Sequence, residues 1–215
     1  MVAGAPLSDK TTAAALLRNT IADSGAAFVI YDLEVTSWEG AMTRHWSGPG
    51  EFPEIIQIGA VKLSGAAGYA ERGSLNLFVR PVLNPVLSDY IVDLTGITQA
   101  EIEAKGVPFA QALAAFQDFS AGCQAFSNGV DDEWIAANCA LHDLPNPFRA
   151  DDLVNIGPSL KQILGWSGQI FSSDFPSLIG AANTGSAHDG VDDARAIAVV
   201  LREILKEDGA PAVRA

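Results

Sequence analysis

Residues 28–35 read FVIYDLEV, an apolar run broken only by Asp32 and Glu34. Both faces are apolar through Leu33, the signature of a central strand covered on two sides. Side chains at i and i+2 of a strand share a face, so Asp32 and Glu34 stand side by side. Two neighbouring carboxylates in a buried strand repel each other and are costly to desolvate. A divalent cation would compensate, because Mg²⁺ and Mn²⁺ favour oxygen ligands. The alternative is a strand end where both groups meet water.

Downstream, residues 36–53 (TSWEGAMTRHWSGPGEFP) form a loop with three glycines, two prolines and two tryptophans. That is long for a mere connection. It is either a flap presenting Trp38, Arg44, His45 and Trp46 to a substrate or a tucked-in loop packed by its tryptophans. Residues 54–64 (EIIQIGAVKLS) and 74–80 (SLNLFVR) read as strands joined across Gly65 and Gly68, giving an antiparallel set of three. Pro81, Pro85 and Gly96 punctuate the loop that follows. Helices are expected over 97–105 and 108–120, a short strand over 124–127, a helix over 131–144 and a fifth strand over 153–156. Residues 158–164 read as a helix. Residues 166–187 read as irregular, with one short helix near 176–182. A last helix over 189–206 carries Ala194, Ile197, Ala198, Leu201, Ile204 and Leu205 as its core stripe. Upstream, residues 1–26 are an N-terminal extension. Ser8 could cap a helix over 11–21 with Leu16, Leu17 and Ile21 on one side. Residues 207–215 read as a tail. Strands, helices, strand, helix, strand and helices in this order imply an α/β fold with a mixed five-stranded sheet flanked by helices.

Two further segments carry acids. Asp131 and Asp132 follow Ser127-Asn128-Gly129 where a strand gives way to a helix; acids there also serve the helix N-terminus. His188 and Asp193 lie in AHDGVDDAR at the start of the last helix. Five residues apart, they do not share a face of one regular helix. His188 therefore belongs on the approaching loop, with Asp189 as N-cap and Asp193 in the first turns. Ordinary capping is the competing explanation. Converging at one place, the acids could hold two metal ions about 4 Å apart, an arrangement that stabilises the attacking and leaving oxygens of displacement at phosphorus. A neutral histidine beside them could take a proton from the attacking water.

Together the three segments resemble the DEDDh 3′→5′ exonucleases of the ribonuclease H-like fold. Within them the chain is most similar to the exoribonuclease branch that includes histone-mRNA end-trimming enzymes and their bacterial relatives. Tyr31-Asp32-Leu33-Glu34, Ser127 to Asp132, and His188 with Asp193 match the motifs; EIIQIGAVKL, RPVLNPVLSDY and LTGITQAEI look like this branch too. The resemblance covers residues 27–206 as an exonuclease domain. It implies a ribonuclease H-like sheet and two divalent cations, Mg²⁺ or Mn²⁺. Asp32, Glu34 and Asp193 would hold one cation, Asp32 would bridge to the second, and Asp132 would reach the site directly or through water. Asp131 stays open as the alternative to Asp132. His188 would be the general base, and Val35 and Thr36 would meet the terminal nucleotide through their backbone. Asn128 stands where the branch often has an aromatic that stacks on a base, which weakens one contact of that substrate-binding wall. The implied substrate is the 3′ end of single-stranded RNA or DNA, cut to nucleoside 5′-monophosphates. Two alternatives keep the fold: a phosphodiesterase for short oligonucleotides, and an inactive protein-binding module.

The bulk numbers bound these expectations. A chain of 215 residues, 48% hydrophobic and 18% charged, can bury a substantial core. A net charge of −13 argues against gripping duplex DNA through a broad basic face. Bound divalent ions would reverse the sign locally where a phosphate sits. Two cysteines, Cys123 and Cys139, make neither a disulfide framework nor a zinc motif. No stretch approaches the ~20 apolar residues of a membrane span, and no basic-then-apolar leader is seen, so the cytoplasm is the expected location.

Overall fold

A computed structural model describes residues 7–182 and 185–206, with the backbone alone for residues 7–9. Strand β1 (Ala27–Val35) lies at the centre of a five-stranded sheet with β2 (Ile55–Ser64), β3 (Glu71–Phe78), β4 (Ala125–Ser127) and β5 (Leu153–Asn155). The sheet order is β3-β2-β1-β4-β5. The first three strands pair antiparallel, whereas β4 and β5 run parallel to β1.

The pleat of β1 sorts its residues between two cores. Val29, Tyr31, Leu33 and Val35 face α4 (Phe109–Ser120) and α5 (Asp131–Leu141), where Phe109, Phe116 and Ile135 are buried. Phe28 and Ile30 face α8 (Gly190–Ile204), whose Val191, Ala194, Ile197 and Leu201 pack on that side. Asp32 and Glu34 continue the α8 face at the strand's C-terminal end. β2 supplies the fit: a Cβ on Gly59 would lie 2.0 Å from the carbonyl carbon of Gly190, so only glycine lets α8 start this close to the sheet.

α1 (Leu7–Asp23) is longer than the expected helix and packs into the same core as α6 (Gly157–Leu164) through Ala13, Ala14, Leu17 and Ile21. Leu16, placed on that face by the sequence reading, is 62% exposed. It lies one residue, about 100° of helix, from Leu17. The Ser8 side chain and the 207–215 tail lie outside the described residues. α2 (Asp89–Thr95) occupies a stretch read as loop. Its signals were present: Ser88 accepts the Ile91 N–H as N-cap and Gly96 closes the helix at φ 73°. Prolines 81 and 85 masked them. α3 (Gln99–Lys105) starts at a Thr98 capping box, later than expected. Residues 166–187 hold a 3-10 turn (Ser172–Asp174) and the short α7 (Phe175–Leu178), earlier than the expected 176–182 helix. Cys123 and Cys139 are free thiols. Among the described residues no helix is long and apolar enough to cross a membrane.

Candidate active site

At the C-terminal end of β1 a cleft of about 380 Å³ opens between the sheet, the start of α5, the start of α8 and the 169–172 segment. Asp32, Glu34, Asp131 and Asp193 form its acidic floor, and no Lys or Arg is among the described residues lining it. Its walls are largely apolar: Met42, Trp46, Ile91, Leu94, Val130, Ile170 and Phe171.

Each acid is placed by an identifiable local cause. Asp32 and Glu34 project from β1 on one face, as their spacing requires. Asp131 is the first residue of α5, and its Oδ1 accepts the backbone N–H of Leu33 at 3.2 Å, which fastens the helix start to β1 between the two carboxylates. Asp193 lies in the first turn of α8, buried, with Oδ2 accepting the His188 N–H at 3.2 Å. Its Oδ1 is buried without a partner. Asp189 caps the helix by accepting from Val191 N and Asp192 N. His188 takes the left-handed region at φ 60°, rare for a side chain larger than glycine, and its ring meets Phe171 edge-on at 4.9 Å. Ligand atoms of Glu34, His188 and Asp193 all come within 4.8 Å of one another.

Asp131 takes the position expected of Asp132. Asp131 is 4% exposed and lines the cleft, while Asp132 is half-exposed and outside it. A Leu33 amide left open by β1 recruits the first residue of the helix, and the next residue is turned away by about 100°. Thr36, expected to meet the terminal nucleotide through its backbone, is not among the residues lining the cleft. It is 2% exposed, its N–H donates to Glu54 O, its hydroxyl donates to Phe52 O, and its carbonyl accepts from Trp46 Nε1. Val35 and Asn128 do line the cleft. The 36–53 loop is partly tucked in and partly open to the cleft. Trp46 packs edge-on against Trp134 at 5.6 Å and, with Met42 and His45, lines the cleft. Arg44 is turned to Glu51 and to the Glu39 carbonyl.

The electrostatics are those of crowded anions without a counter-charge. Burial, then Asp193 and Asp131, pushes the Asp32 and Glu34 carboxyls well above the usual range. Burial raises Asp131 to about 6 against the opposing Ser127 hydroxyl and backbone amides including that of Leu33, and raises Asp193 to about 7 with help from Asp189 and Asp192. Burial lowers His188, partly opposed by Asp174, so its imidazole is neutral at pH 7. Buried anions of this kind require either protons or cations. The carboxylates of Glu34 and Asp193 beside a His188 ring nitrogen, the orphaned Asp193 Oδ1 and the lack of a lining Lys or Arg among the described residues fit a divalent cation.

Three residues that sequence reasoning passed over shape the site. Gln57, a fully buried amide in an apolar strand, was visible as an anomaly; Ser172 and Phe171 carried no signal in an irregular stretch.

Residues 29–201 match the RNase_T exonuclease family. The chain is 24% identical over 204 residues to the 3'-5' exonuclease Snipper of Drosophila melanogaster, covering 85% of this chain and 70% of that protein. It is 33% identical over 205 residues to ERI1 exoribonuclease 2 of Xenopus laevis, covering 82% of this chain and 28% of that protein. The chain spans between 12% and 28% of the length of the ERI1 exoribonuclease 2 relatives it matches. Among solved structures, the nuclease domain of 3'hExo, a DEDDh family member, bound to rAMP, superposes with a TM-score of 0.72 at 25% identity, over 88% of this chain and 96% of that one.

Proposed function

This chain belongs to the RNase_T exonuclease family, and on that premise we propose that it is a metal-dependent 3′→5′ exonuclease releasing nucleoside 5′-monophosphates from single-stranded RNA or DNA. The observation that carries this reading is the convergence of four carboxylates and one histidine on a cleft lined by no cationic side chain among the described residues.

Asp32, Glu34, Asp131 and Asp193 would hold two divalent cations, Mg²⁺ or Mn²⁺. Such ions supply charge that stabilises the attacking and leaving oxygens of an in-line displacement at phosphorus. His188 takes the proton from the attacking water, because burial favours its neutral ring and one ring nitrogen lies within 4.8 Å of ligand oxygens of Glu34 and Asp193. Water oxygen bonds to phosphorus, the bond to the 3′-oxygen of the preceding nucleotide breaks, and that strand keeps a 3′-hydroxyl. The apolar walls receive the terminal base, and the Val35 edge of the cleft faces the sugar.

Incubation with 5′- and 3′-labelled RNA and DNA in Mg²⁺, Mn²⁺ or chelator tests the proposal. The 5′-labelled strand should shorten stepwise from its 3′ end, and chelator should stop the reaction. Internal cuts, digestion from the 5′ end or indifference to chelator would refute it. A narrower substrate reading, short oligonucleotides, is favoured by one observation: Arg44, the cation on the loop flanking the cleft, is bound to Glu51. Few phosphate contacts beyond the scissile one would leave KM nearly independent of strand length and salt. A KM that tightens steadily from dimers to 20-mers would refute that narrower reading alone.

A further inference from the structure

We propose that Ser172 is a positioning residue that orients the Asp32 carboxylate, and that Asn128 serves by fixing the Ser172 hydroxyl; the proposal rests on the exonuclease reading of the site. Ser172 Oγ donates to Asp32 Oδ1 at 3.0 Å. Asn128 Nδ2 in turn donates to Ser172 Oγ at 3.3 Å. A serine hydroxyl has one proton to give. Receiving the amide of Asn128 occupies a lone pair and turns that single proton toward Asp32.

The need for such a device follows from the surroundings. Asp32 faces Asp193, Asp131 and Glu34, all acidic. The terminal torsion of an aspartate is broad and roughly two-fold, so repulsion alone would not select one orientation. Among the described residues Ser172 is the one hydrogen-bond donor to this carboxylate, and it leaves Oδ2 without a protein donor. Ser172 is 5% exposed, so water competes little for the bond. The relay is also given room. A Cβ on Gly157 would lie 2.6 Å from Asn128 Oδ1, so glycine at the start of α6 lets the Asn128 amide occupy its place. Asn128 thus acts through Ser172 where the resemblance suggested a base-stacking position.

The test combines Mn²⁺ titration calorimetry with steady-state kinetics on Ser172→Ala, Asn128→Ala and the double variant. Partners that orient metal-binding carboxylates typically contribute about 10–100-fold to metal affinity or activity. Ser172→Ala should weaken Mn²⁺ binding by about 10-fold and lower kcat by about 10–100-fold, with KM for an oligonucleotide changed less than about threefold. Asn128→Ala should shift the same quantities in the same direction by less. The double variant should match Ser172→Ala, because both residues act through one hydroxyl. Wild-type Mn²⁺ affinity in Ser172→Ala overturns the proposal, as does a double variant in which the two losses multiply. If Ser172→Ala does not fold, Asn128→Ala decides, and wild-type affinity in it is again fatal. If the wild-type protein hydrolyses nothing, the exonuclease reading fails, while the calorimetry still decides the role of Ser172.

Discussion

Gln57 on β2 reaches across to α8, where its Oε1 accepts the backbone N–H of Gly190 at 2.9 Å. Its Nε2 donates to Asp189 Oδ2 at 3.1 Å and to Asn76 Oδ1 at 3.0 Å. Asp189 uses its other oxygen to cap the helix. One buried amide therefore fastens the start of the helix that delivers Asp193, and the residue before the cap is His188. On β1, Glu34 lies directly opposite Gln57 in the strand register.

Gln57→Leu should cost stability and activity together. It strands the Gly190 amide and one Asp189 oxygen, a loss of about 2 kcal/mol. For a domain of this size that lowers Tm by roughly 4–8 °C. Activity should fall by at least about 10-fold because His188 and Asp193 lose their placement. Thermal melts and initial rates check this; an unchanged Tm would show that the clamp is dispensable.

Asp131→Asn and Asp132→Asn should separate sharply. The first removes a carboxylate whose Oδ1 is bonded to the Leu33 amide at the cleft floor, and should lower kcat by about 100-fold or more. The second alters a half-exposed side chain outside the cleft and should stay within about threefold of wild type. Equal losses would contradict the geometry.

His188→Ala should retain cation binding in calorimetry yet lose about 10²–10⁴-fold in rate. The ring sits at the cluster, but its backbone N–H, not the ring, holds Asp193, so the substitution leaves that carboxylate in place. A loss smaller than about 10-fold would assign proton removal to another group.

Without cations, the folded protein should lose stability as pH rises from about 4 to about 7. Asp131 is raised to about 6 and Asp193 to about 7, against an ordinary value of 3.8. Between those limits the folded state binds more protons than the unfolded one, so the unfolding free energy falls with rising pH. Saturating Mn²⁺ should raise Tm more at pH 7.5 than at pH 5, where the site is partly protonated. Asp193→Asn should flatten the cation-free slope. A cation-free Tm that climbs through this interval would show that these carboxylates are not destabilised by burial.

Several of these features were legible in the chain before any tertiary structure. The apolar run around Asp32 and Glu34 specified a central strand with two carboxylates on one face, because strand periodicity is a local property. The capping pattern at Asp189 likewise placed His188 outside α8 and Asp193 inside it, as observed. The family resemblance pointed to the Asp131-Asp132 pair but favoured Asp132, which does not line the cleft.

Other features depended on docking between distant segments. Asp131 and Asp132 are both acceptable first-turn acids, and nothing local distinguishes them. The choice falls to the Leu33 amide, which lies 98 residues away and accepts one phase of the helix. Ser172 is 140 residues from Asp32 and looks like any loop serine until the 3-10 turn is packed into the cleft. Gln57 was visible as a polar residue in an apolar strand, but its partner, the start of α8, was not. Sequence periodicity fixes which face a side chain takes within its own element. Which faces then meet is decided by close packing of whole elements, and that is a property of the assembled core rather than of any one stretch.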